Sequence, residues 1–112
     1  MDWDQYKNNF LENREKEEIA LIERAFKFAY DAHKNQKRLS GEPYFSHPLN
    51  ISKNIISLNF DAKTISAALL HDTIEDTDIS LKIIKKNFGE EIAFLVDGIT
   101  KVNVIKYKGA ER

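Results

Sequence analysis

The segment Ala67-Ala68-Leu69-Leu70-His71-Asp72-Thr73-Ile74-Glu75-Asp76-Thr77-Asp78 constrains this chain more than any other stretch. Its first four residues belong in a core, yet they run straight into an imidazole and four carboxylates. Burying unpaired carboxylates is costly, and crowding them raises the cost because each opposes its neighbour's ionisation. A bound cation resolves both problems. If the helix continues past His71, Glu75 lies one turn beyond His71 and Asp76 one turn beyond Asp72, so two candidate ligands and two reacting carboxylates line one groove. A divalent ion such as Mn2+ accepts mixed imidazole and carboxylate ligands and acidifies bound water into a nucleophile at neutral pH. The second-turn carboxylates can then orient that water or move protons.

The remaining chain reads as helices around this segment. From about Glu15 to Gln36, Ile19, Ile22, Ala25, Phe26, Ala29 and Ala32 recur at helical spacing, which predicts a long amphipathic helix. The stretch from Lys37 to Ser46 breaks that period with Gly41 and Pro43 and is expected to be a surface loop. Pro48 suits a first helical position and pushes His47 into an extended conformation just outside the second helix, which ends near Leu58. Asp61 can cap a third, buried helix, and Ser80 a short fourth one through Ile84 and Phe88, stopped by Gly89. A fifth apolar run spans Ile92 to Val104. Its β-branched tail would also suit a strand, but five helical segments in a row favour an all-α fold. Residues 1–14 read as an N-terminal extension and 15–112 as the domain.

Composition narrows the chemistry. The 112 residues are 42% hydrophobic and 31% charged, enough for one core. Seventeen basic and eighteen acidic residues leave a net charge of −1, so no overall field recommends nucleic acid or an anionic membrane as partner. With no cysteine, a metal site would have to use His and carboxylate ligands. The acidic start and the lack of a membrane-length apolar run lead to the expectation of a cytoplasmic protein.

Several residues have plainer readings. His33 falls on the apolar face of the first helix and is expected to be a core histidine held by a hydrogen bond. Lys82, Lys85 and Lys86 read as the wet face of an amphipathic helix. His47 becomes a ligand candidate only beside a second histidine. Arg38 suits phosphate binding or base stacking, although an isolated loop arginine is usually solvated, and Tyr44 and Phe45 fit either loop packing or a ligand wall.

The blocks Ala32-His33-Lys34-Asn35-Gln36-Lys37-Arg38, Ser40-Gly41-Glu42-Pro43-Tyr44-Phe45-Ser46-His47-Pro48, Ala67 to Thr77 and Gly98-Ile99-Thr100-Lys101 resemble, in order and separation, the hydrolase domain of bifunctional RelA/SpoT enzymes. The resemblance covers the chain from about Ile19 onward. It implies an all-α HD-domain helical bundle, of about five helices here, lacking the C-terminal helices of the full domain. It also implies one Mn2+ and removal of the 3′-pyrophosphate from guanosine tetra- or pentaphosphate (ppGpp or pppGpp) to give GDP or GTP. Carried over by position, His47, His71 and Asp72 are metal ligands, and Glu75 and Asp76 position or activate the attacking water. Arg38 then lies against the guanine, with Ser40 nearby in the same loop.

The sequence departs from the family pattern in two places. Leu39 stands where hydrolase-competent members commonly carry a lysine, and the family's fourth ligand, an aspartate, belongs to a helix later than Arg112. These departures support an alternative, a catalytically silent truncated paralogue that binds a nucleotide or a partner. Missing helices would also expose apolar surface, which invites a homo-oligomer or a complementing chain. An HD phosphohydrolase for another nucleotide fits the Arg38 loop less well.

Overall fold

In the computed structural model the described residues are 2–34 and 46–110, less the side chains of 46, 47, 75 and 102–110. Among them are six helices and no strand: α1 (Trp3–Phe10), α2 (Lys16–His33), α3 (Ser46–Ser57), α4 (Ala62–Asp76), α5 (Leu81–Phe88) and α6 (Glu90–Ala110). The expected all-α class holds.

The hub is α4. Every residue from Ile65 to Thr73 is buried, because α2, α3 and α6 pack around this one helix. A helix buried on all sides needs apolar residues all round rather than a stripe, and Ile65, Ala67, Ala68, Leu69 and Leu70 supply them. Its polar members bond within the helix: Ser66 Oγ donates to the Ala62 carbonyl at 2.7 Å and Thr73 Oγ1 to that of Leu70 at 2.7 Å. Asp61 caps the start, its carboxylate accepting from the Thr64 amide at 2.9 Å.

The neighbours are amphipathic. Helix α2 turns Ile22, Ala25, Phe26, Ala29 and His33 inward, and α3 contributes Leu49 and Ser52. Ser80 caps α5. Gly89, at φ +92°, then lets the chain reverse into α6 with no linker, a backbone conformation that side chains disfavour. The β-branched tail of the last segment is helical through Ala110, as the all-α reading requires.

Two expectations need correction. Helix α3 begins at Ser46, so His47 sits inside its first turn and not in an extended residue before it. Pro48 is tolerated there because none of the first four helical N–H groups has an intrahelical acceptor. Residues 2–14, read only as an extension, carry α1, closed by a capping box in which Asp2 and Gln5 bond each other's backbone amides. Its Trp3 ring meets Phe26 edge-on and its Tyr6 ring meets it at a tilt, with centroids 5.4 and 5.1 Å away. Tyr6 and Leu11 are wholly buried.

Candidate functional site

The carboxylates cluster where a helix tolerates them least. Asp72, Glu75 and Asp76 occupy the final turns of α4, with no basic residue in its last turn. The carbonyl end of the helix already carries a partial negative charge there. The helix is unbroken to Asp76, so Glu75 follows His71 by one turn and Asp76 follows Asp72 by one turn, as the spacing predicts. The Thr77 amide and hydroxyl, both bonded to the Thr73 carbonyl at 3.2 and 2.5 Å, end the helix beyond them.

His71 and Asp72 are almost completely buried. The His71 Nδ1 lies 2.5 Å from the Ala68 carbonyl oxygen. Only an N–H can donate to a carbonyl, so Nδ1 carries the proton of this contact and the ring is oriented with Nε2 on its other side. That Nε2 is 3.1 Å from Asp72 Oδ1. Two electron-pair donors at this distance repel unless a positive charge, a proton or a metal ion, is shared by them. Imidazole nitrogen with carboxylate oxygen is a donor pair that suits divalent cations of intermediate hardness.

Helix α6 braces the pair from behind. Thr100 Oγ1 donates to the His71 carbonyl at 3.4 Å, a contact sequence reasoning missed. Thr100 stood within a recognised block, but nothing local connects it to a residue 29 positions earlier.

The other named residues are placed less completely. His47 lies in the first turn of α3, which packs on α4, but its side chain is outside the described residues, as is that of Glu75. Arg38, Leu39, Ser40, Tyr44 and Phe45 belong to 35–45 and also lie outside them. Asp76 is half-buried. Among the described residues no three His, Asp or Glu side chains converge on one point. His33 is buried on the inner stripe of α2, as expected of a core histidine. Lys82, Lys85 and Lys86 are exposed, and Lys85 pairs with Glu90 at 3.3 Å, which fits a solvated helix face.

Residues 25–111 match the family model of the HD domain. The chain belongs to the HD domain family. Over 90 residues this HD domain is 52% identical to the guanosine-3′,5′-bis(diphosphate) 3′-pyrophosphohydrolase of Aquifex aeolicus, covering 80% of this chain and 13% of that protein. Over 89 residues it is 43% identical to the GTP pyrophosphokinase of Streptomyces coelicolor, covering 80% and 10%. Among solved structures it superposes, with a TM-score of 0.65 and 35% identity, on a metazoan SpoT orthologue that hydrolyses ppGpp and plays a role in starvation responses. That match covers 72% of this chain and 48% of the other. These relatives bear out the RelA/SpoT resemblance drawn from the motif blocks. The HD domain described here therefore spans only a small fraction of the curated relatives it matches. No described helix is long and apolar enough to cross a membrane.

Proposed function

We propose that this HD domain binds a divalent cation, Mn2+ by preference, and hydrolyses the 3′-pyrophosphate of ppGpp or pppGpp to leave GDP or GTP. The observation that carries the reading is the buried approach of His71 Nε2 to Asp72 Oδ1, 3.1 Å apart at the end of α4, an imidazole nitrogen and a carboxylate oxygen brought together. The donor set fits a metal. His71 and Asp72 would hold it, with His47 from the first turn of α3 as third ligand. When bound, such an ion polarises a phosphoryl group and makes water a better nucleophile.

The protein's own groups account for the rest. Hydrolysis of the 3′ P–O bond needs a proton removed from the attacking water and one delivered to the departing 3′ oxygen. Glu75 and Asp76, one helical turn beyond the ligand pair, are the carboxyl groups that perform these transfers or orient the water. Arg38 and Ser40 are assigned to nucleotide binding, Arg38 to the guanine, on the RelA/SpoT resemblance. Identity of 52% to a pyrophosphohydrolase supports the substrate assignment.

The test is release of pyrophosphate from ppGpp by the folded chain with added Mn2+, against a chelated control. The expected outcome is metal-dependent release. Folded protein with no release above the control overturns the hydrolase reading and favours a silent nucleotide-binding module.

A further inference from the structure

Phe94 is 77% exposed, more than any other described large apolar side chain. It stands at the centre of the outward face of α6. Ile92, Ala93 and Val96 point into the core, and at 3.6 residues per turn the opposite face gathers Glu90, Glu91, Phe94, Gly98 and Lys101, all exposed. Along this face two acids come first, then the aromatic ring, then the glycine, then the lysine. A Cβ placed on Gly98 would meet no atom within 4 Å, so a shallow seat lies open one turn beyond the ring.

These features are complementary to themselves in one arrangement. When two copies of α6 lie antiparallel about a two-fold axis passing beside position 96, Phe94 of each meets Gly98 of the other, and Glu91 of each meets Lys101 of the other. Every contact is made twice, as an isologous interface requires. A parallel arrangement would instead place ring on ring and like charges together. We propose that this face of α6 is a homodimer interface whose occupant is a second copy of the chain, docked antiparallel with Phe94 seated over Gly98.

The charges involved already have partners: Glu91 pairs with Lys63, and Lys101 with Asp97 at 3.0 Å. Glu91 and Lys101 are each 73% exposed, and exposed ion pairs exchange at little cost. One helix crossing buries a small area, so the dimer is transient and concentration-dependent. The proposal is independent of the hydrolase reading, because its measurement involves neither metal nor nucleotide.

Sedimentation velocity of the chain from micromolar to millimolar concentration tests it. The weight-average sedimentation coefficient should rise with concentration for the wild type and stay monomeric for Phe94→Glu. Lys101→Glu should weaken association at least tenfold, and adding Glu91→Lys in the same chain should restore it. Circular dichroism checks that each variant is folded. A wild type that remains monomeric throughout overturns the proposal. So does association that survives Phe94→Glu, or a charge swap that restores nothing.

Discussion

His71 presents its two nitrogens to two different tasks. The Nδ1 proton is committed to the Ala68 carbonyl, which holds the ring in place, and Nε2 is turned toward Asp72. A ring anchored in this way is a pre-oriented ligand, since the hydrogen bond on one nitrogen decides what the other can do. The proposed roles then predict a division of effects among neighbouring residues. His71→Ala and Asp72→Ala should each abolish Mn2+ binding measured by titration calorimetry, because each removes a donor atom. Glu75→Gln should bind the ion as the wild type does and lose turnover, because it removes only a group that moves or orients a proton. Arg38→Ala should leave the ion in place and weaken nucleotide affinity. Equal loss of metal binding in the first three variants would refute this assignment.

At the scale of helices, the chain announces its punctuation and conceals its packing. Asp61, Ser80 and Gly89 were legible because caps are local: a side chain or a glycine acts within one turn of itself. Helix α4 was legible for a related reason, since an unbroken apolar run beside acids leaves few places to go. Helix α1 escaped notice although Trp3, Tyr6 and Phe10 have helical spacing and Asp2 with Gln5 forms a capping signature. Eight residues are too few for a helix to persist on local terms, and the partner that stabilises it, Phe26, is distant in sequence. Thr100 was missed likewise, and the Pro48 rule placed the start of α3 two residues late because a proline marks a first turn and not a single position. Of the site itself, the one-turn offsets of Glu75 and Asp76 from His71 and Asp72 were readable from spacing, whereas the orientation of the His71 ring depends on the Ala68 carbonyl that only the folded helix supplies. The Thr64 hydroxyl and amide beside Asp61 hold its carboxyl below the usual carboxylate range, the mark of a bonded cap. Asp61→Ala should therefore lower stability by about 1 kcal/mol in chemical denaturation, and Asp61→Asn by only a few tenths. A loss as large for Asn as for Ala would mean that the cap contributes through charge alone.

For the molecule as a whole, α1 is joined to the bundle by one buried polar link, and that link makes global stability depend on alkaline pH. The Tyr6 hydroxyl is 2.8 Å from Ser52 Oγ on α3, and Ser52 in turn donates to the Leu49 carbonyl at 2.7 Å. Burial pushes the Tyr6 phenol from 10.0 up to about 12, desolvation of the phenolate being the main cause. Because the folded value lies above the unfolded one, the native state holds its proton more tightly than the unfolded chain does. The corresponding stability is complete below pH 10 and is lost as pH rises from 10 through about 12. A shift of this size amounts to roughly 2 kcal/mol by the upper end of that window. Tyr6→Phe removes the titrating group but leaves the Ser52 hydroxyl bonded to Leu49, so no new buried oxygen is orphaned. Lysines and the other tyrosines titrate over the same range in both proteins, so the informative quantity is the difference between wild type and Tyr6→Phe. Measured by urea unfolding, that difference should be constant up to pH 9 or so and then shift by roughly 2 kcal/mol in favour of the variant as pH approaches 12. Parallel stability curves over that window would mean that the Tyr6 phenol titrates normally, and that α1 does not stay docked on α2 and α3 as the structure has it.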